Sequence, residues 1–178
     1  MAKIIEVNGF DYVGKTMYAS SFLREGFILA PRINSLPFGV SMPKDKRIKF
    51  YESLTADEYA VFFSAVHAKK NDLILSKPGN QVIDRGFKTV ISDFGARYLL
   101  EGISFESAKE RALQISALNN FSEIGSEVVN LDLEGNVDEV LKTIELRKFK
   151  REGRLFSEFE RDYLPKMIMF YRSIKNGA

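Results

Sequence analysis

The stretch Gly9-Phe10-Asp11-Tyr12-Val13-Gly14-Lys15-Thr16 constrains this chain more than any other, because it fits G-x-x-x-x-G-K-[ST] at every fixed position. Its flanks supply the context. Residues 3–8, short and β-branched, read as a strand, and Met17 to Glu25, without Gly or Pro, read as a helix ending before Gly26. Two glycines let the intervening backbone curl until its N–H groups face inward, and the next helix adds partial positive charge at its N-terminus. Such a loop is a cradle for a polyphosphate, although an ordinary β-to-α turn would share its outline. The candidate contacts run from Gly9 to Met17, with Lys15 reaching the β- and γ-phosphates and the Thr16 hydroxyl meeting Mg²⁺.

Composition narrows the rest. A chain of 178 residues, 45% apolar, suits one domain over 1–178 that buries about 70% of its unfolded surface. Lys and Arg number 26 against 24 Asp and Glu, a formal +2, which argues against a general nucleic-acid or membrane binder. The absence of cysteine excludes disulfides, thiolate metal sites and cysteine nucleophiles, and a single histidine excludes a multi-His metal site. The N-terminus meets charge too early for a signal-peptide core, and no apolar run reaches the ~20 residues a bilayer requires. A soluble cytoplasmic protein is the expectation.

Beyond the first helix, residues 27–30 form an apolar run that reads as a buried strand. Residues 31–50 read as irregular, punctuated by Pro31, Pro37, Gly39 and Pro43, with a basic cluster at Lys44, Lys46, Arg47 and Lys49. A capping box at 55–58 opens a helix over 56–70, on which Tyr59, Phe62, Phe63 and Val66 share one face. Residues 81–84 read as a strand that delivers Asp84 and Arg85 to its carboxyl end, where Gly86 lets the chain turn. Helices follow over 89–100 and 105–118, a strand over 128–133, and a charged helix over 137–151. A second capping box at 157–160 starts a last helix. Its stripe of Phe156, Phe159, Tyr163, Met167, Phe170 and Ile174 reads as core, with a bend at Pro165. Alternating strands and helices predict a three-layer α/β fold of the P-loop NTPase type, its sheet mostly parallel with four to five strands. In such sheets ligands bind outside the carboxyl ends of the strands, where the glycine loop and Asp84-Arg85 both fall.

Two motifs in this order, N-G-F-D-Y-V-G-K-T at 8–16 and D-R-G at 84–86, resemble the thymidylate kinase family of P-loop deoxynucleotide kinases. The family's loop typically reads E-G-x-D-G-x-G-K-T, so Gly9, Asp11, Gly14, Lys15 and Thr16 match while Asn8 and Tyr12 depart. Its D-R-[YF] matches Asp84 and Arg85, with Gly86 departing. The run from Asn130 to Val140 is similar to its fourth strand and the helix leading to its lid, and Phe159 to Leu164 to its F-E-R-x-Y-L helix. The resemblance implies phosphoryl transfer from ATP with Mg²⁺ to a deoxynucleoside monophosphate, and a homodimer. It implies that Arg85 clamps the acceptor phosphate, that Asp84 holds Mg²⁺ through water, and that Asp11 lies near the acceptor's sugar and phosphate. The family's helix arginine falls on His67, which otherwise reads as an ordinary surface histidine.

The same resemblance makes the basic interval Arg147, Lys148, Lys150, Arg151 and Arg154 a lid that closes over bound phosphates, with Gly153 as a flexible break. By helical spacing Arg147, Lys150, Arg151 and Arg154 share one face and Lys148 is off it, so Arg147, Arg151 and Arg154 are the candidates to act on the transferring group. Taken alone, the interval reads better as a solvated helix surface pairing with Glu145 and Glu152. Two rival functions stay open. A deoxynucleoside kinase would need Asp84 or Glu6 as the base for a sugar hydroxyl, and a regulatory nucleotide-binding protein would keep the loop without acceptor chemistry.

Overall fold

The structure, a computed structural model, describes residues 2–33 and 43–175. Four parallel strands, β1 (Ile4–Asn8), β2 (Ile28–Leu29), β3 (Gln81–Asp84) and β4 (Glu127–Asn130), form a sheet in the order β2-β3-β1-β4. β1 is central because its five residues are all buried and can pair on both edges. Its register against β3 sets Val7 beside Asp84, and its register against β4 sets Asn8 beside Asn130. Three strand ends therefore finish level, and the loop leaving β1 emerges next to Asp84 and Arg85.

Helices cover both faces, which gives the expected three-layer α/β architecture. Ile5, Val7 and Val82 point to one face and pack on Ala19 of α1 (Lys15–Ser21) and on Phe27. On the other face Ile4 and Ile83 meet Ala30 and Ile74 of α3 (Ala56–Leu75). Outside these lie α2 (Lys44–Ser53), α4 (Phe87–Leu100), α5 (Phe105–Leu118), α6 (Val137–Glu152) and α7 (Glu158–Ile174). A Cβ on Gly95 would stand 2.1 Å from the Phe170 ring, so this glycine is what lets α4 and α7 approach. Capping boxes at Thr55 and Ser157 form as predicted, and a third at Asn136 starts α6. The α7 stripe is core: Phe156, Tyr163, Met167, Phe170 and Ile174 are buried and Phe159 packs against them.

Five expectations change. The predicted buried strand over 27–30 is a two-residue edge strand with Ile28 56% exposed, because β3 covers one side only. Residues 44–53, read as irregular, are helix α2. They contain no Gly or Pro after Pro43, which opens the helix, and Tyr51 and Leu54 pack on the core beneath. Pro37 and Gly39 lie outside the described residues. The strand predicted over 128–133 ends at Asn130, because the Asp132 carboxylate leaves the ladder for Arg172 at 3.1 Å and for Lys175. The helix predicted to begin at Thr89 begins at Phe87, and the first helix closes as a single 3₁₀ turn over Phe22–Glu25. No fifth strand pairs with the sheet among the described residues.

Candidate active site

The phosphate loop bridges β1 and α1. Its glycines are required by geometry: Gly9 at φ 151° would set a Cβ 2.6 Å from Val13, and Gly14 caps α1 at φ 108°. The loop is anchored from the far side of the sheet by Thr89 of α4, whose hydroxyl accepts from Gly9 N at 3.0 Å and faces Gly9 O at 3.1 Å. Asn8, where the family pattern has Glu, accepts from Thr89 N at 3.0 Å through its side-chain oxygen. Lys15 folds back into the loop, its ammonium donating to Gly9 O at 2.8 Å and Phe10 O at 2.6 Å. Burial first, then the Arg85 guanidinium, push its pKa down to about 8. Phe10 and Val13 point away into the core with Tyr163 and Met167, so within the loop they contribute backbone rather than side chain. Met17 is 80% exposed on the first turn of α1.

Asp84 and Arg85 do not pair with each other. Thr16 donates to Asp84 Oδ2 at 2.5 Å, while Asp84 Oδ1 is buried without a partner among the described residues. A threonine hydroxyl beside a carboxylate with one idle oxygen fits Mg²⁺ held partly by nucleotide phosphates. No cluster of three or more acidic or histidine side chains exists among the described residues, so an all-protein cage is absent there. Arg85 donates instead to Asp11 Oδ1 at 2.8 Å, and Lys15 stands 3.9 Å from the same oxygen. Burial raises the Asp11 pKa, but Arg85 and then Lys15 outweigh it and hold the carboxyl below its ordinary range. The turn after β3 runs differently from expectation. The left-handed residue is Arg85 at φ 71°, and Gly86 is needed for space, since a Cβ there would lie 2.5 Å from the Glu6 carboxylate.

Glu6 is a structural carboxylate. It is 1% exposed, and its oxygens accept from Phe87 N at 2.7 Å, Ile124 N at 2.6 Å and Gly125 N at 2.9 Å, so it caps α4 and pins the approach to β4. That occupation removes it as a base for an acceptor. His67 is likewise no surface residue: it is 6% exposed, its ring 5.2 Å from Phe121, and burial takes its pKa well below the ordinary value. It lines a small recess with Glu6, Lys70 and Arg85.

A second polar cluster was not anticipated from the sequence. Asp93 of α4 accepts from Tyr59 of α3 at 2.7 Å and from Tyr163 of α7 at 2.5 Å. Arg97, one turn on, lies 3.5 Å over the Tyr59 ring and donates to Tyr51 O at 2.9 Å, while its buried Nε makes no hydrogen bond among the described residues and stands 3.9 Å from Asp93 Oδ1. Asp93 bears electrostatically on both Arg85 and Lys15, so the cluster faces the loop. Thr89, Asp93 and Arg97 are spaced by four on α4, and polar residues at that spacing within an apolar helix were the available signal.

The basic interval reaches the loop from α6. Arg147 donates to Tyr12 O at 3.1 Å and the Arg151 guanidinium lies 4.7 Å over the Tyr12 ring. Arg154 does not reach it, holding Glu152 at 3.1 Å, and Glu152 also pairs with Arg151. Lys148 is fully buried, paired with Glu160 and donating to Leu155 O at 3.1 Å. Gly153 caps α6, its N–H donating to Phe149 O at 2.8 Å, and is no loose break.

No family model matches this sequence, and no curated protein matches it. Solved structures do share its shape. Deoxyadenosine kinase from M. mycoides with bound dATP superposes with a TM-score of 0.65, covering 97% of this chain and 84% of that one at 15% identity. The same enzyme with products dCMP and a flexible dCDP gives 0.66 over 97% and 83% at 15% identity, and with dCTP 0.63 over 97% and 83% at 15% identity. The chain therefore has the fold of a P-loop nucleoside kinase, a parallel α/β sheet with the glycine loop on its central strand.

Proposed function

We propose that this protein transfers a phosphoryl group from ATP with Mg²⁺ to the hydroxyl of a deoxynucleoside. The reading rests on one observation, the Asp11–Arg85 pair at 2.8 Å beside Lys15 at the carboxyl end of the sheet. Before the lid is counted, Lys15, Arg85 and Arg97 face Asp11, Asp84 and Asp93, so the cleft is electrically balanced. A neutral hydroxyl can approach such a site without displacing anything, whereas a phosphate dianion must first take Arg85 from Asp11. Glu6 is committed elsewhere and Asp84 serves Thr16. Asp11, ionised and partly exposed, is then the carboxylate that accepts the hydroxyl proton, with Arg85 holding it in place.

The remaining groups position charge. Lys15 leaves the carbonyls of Gly9 and Phe10 for the β- and γ-phosphates, which are stronger acceptors, and the loop N–H groups line the rest of the chain of phosphates. Thr16 and Asp84 would hold Mg²⁺, which neutralises developing charge between the phosphates. Arg147 and Arg151 supply cations from above, and the deoxynucleoside lies toward Asp93, Tyr59 and Tyr163. A monophosphate acceptor, as in the thymidylate kinases, is the second reading. It is favoured by Arg85 keeping half its side chain exposed, a guanidinium edge open to an anion.

Chromatography of products after incubation with ATP and Mg²⁺ separates these. Deoxynucleoside monophosphate formed from a deoxynucleoside supports the proposal. Diphosphate formed only from a monophosphate replaces it with the second reading, and no product from either class leaves a nucleotide-binding protein.

A further inference from the structure

Tyr12 occupies the one loop position where three separate lid contacts meet. Arg147 donates to its carbonyl at 3.1 Å, Arg151 lies 4.7 Å over its ring, and its hydroxyl donates to Glu152 at 3.3 Å. Glu152 in turn holds Arg151 and Arg154. None of these contacts is needed for a glycine loop to cradle phosphate. The position also carries strain, because Tyr12 stands at φ 63°, a conformation in which a non-glycine residue is costly and glycine is at ease. The Tyr12 side chain packs against the core cluster beside the loop, but its hydroxyl and its ring face both go to α6, and those two contacts account for a tyrosine rather than another apolar residue in this strained conformation.

Resting on the kinase reading above, we infer that Tyr12 is a positioning residue that seats the lid arginines over the phosphate loop. The ring face gives Arg151 a cation–π platform while Glu152 fixes its N–H edge, and the carbonyl holds Arg147 a short swing from the loop mouth. When ATP binds, Arg147 exchanges a neutral carbonyl for a phosphate oxygen, and Arg151 turns one N–H from Glu152 to a phosphate while staying on the ring, neither searching through open rotamers. Burial, reinforced by Glu152, pushes the Tyr12 phenol up to about 12, which keeps it protonated and donating across the working range of pH.

The test compares Tyr12→Gly and Tyr12→Phe. Glycine suits the backbone but removes the ring and its packing, so Tyr12→Gly is expected to stay folded and to bind ATP–Mg²⁺ within about threefold, while kcat falls about tenfold or more. Tyr12→Phe keeps the platform and should turn over within about twofold of wild type. Adding Arg151→Ala to Tyr12→Gly should cost far less than adding it to wild type, since the arginine has already lost its seat. Wild-type turnover in Tyr12→Gly, or strictly additive losses, overturns the inference. Hydrogen exchange over residues 147–155 gives a readout independent of chemistry. ATP–Mg²⁺ should slow exchange there in wild type and not in Tyr12→Gly, and equal slowing overturns the seat even if no acceptor is ever phosphorylated.

Discussion

At the scale of single residues, Lys15 has the most direct consequence. Its pKa of about 8 in the free protein lies below the ordinary 10.5, so between those values the unfolded chain holds a proton that the folded chain lacks. From this group, stability rises as pH climbs from about 8, where the cost of burying the ammonium begins to be relieved, toward 10.5. ATP acts in the opposite sense, since its phosphates favour the charged form. Binding at pH 8 should therefore take up a proton, and affinity should weaken as pH rises further. Calorimetry in two buffers of different ionisation enthalpy reads this, with a buffer-dependent heat at pH 8 that vanishes at pH 6 and in Lys15→Arg. A heat independent of buffer at pH 8 would show that Lys15 is not at the phosphates. The loop residues were legible because G-x-x-x-x-G-K-[ST] ties chemistry to short spacing. Asp93 was not, because its partner Tyr163 is 70 residues away and a polar residue in a helix ordinarily reads as surface. Glu6 and His67 were misread for the same reason, since only the packed sheet shows that both are buried.

Among elements, α6 joins two jobs on adjacent faces. Arg147 and Arg151 turn to the phosphate loop, whereas Lys148 turns inward to Glu160, which also completes the capping box of α7. Removing one partner from a buried ion pair strands the other, at a cost of roughly 3–5 kcal/mol. Lys148→Ala should accordingly lower the melting temperature by several degrees, while Arg147→Ala should leave it within a degree and lower turnover. Thermal unfolding and steady-state kinetics on both variants check this, and an unchanged melting temperature in Lys148→Ala would refute the structural role. Helical spacing had already separated Lys148 from the basic face, because that inference needs only 100° per residue. Element ends were harder to read. β4 stops early through an ion pair with α7, and α2 forms because the proline punctuation ends at Pro43, after which Tyr51 packs the new helix on the core.

For the whole molecule, nucleotide binding and folding are linked through mass action. At 100 times its dissociation constant, ATP–Mg²⁺ should add about 2.7 kcal/mol to unfolding, roughly 5–11 °C for a chain this size, and Lys15→Ala should lose most of that shift. Differential scanning fluorimetry measures it, and an equal shift in the variant would place ATP elsewhere. The parallel α/β plan was readable in the alternation of strands and helices, whereas the sheet order was not, since it depends on which strand can be buried on both edges. That order has a consequence during synthesis. β1 waits for contacts 77 residues later at β3 and 122 residues later at β4, so both its edges stay open while the ribosome adds them. At 5–20 residues per second this exposure lasts about 4–15 s on one edge and about 6–24 s on the other. A nascent chain in that interval presents an apolar, unpaired ribbon of the kind that recruits other strands, and a chaperone that shields extended segments would be its natural escort.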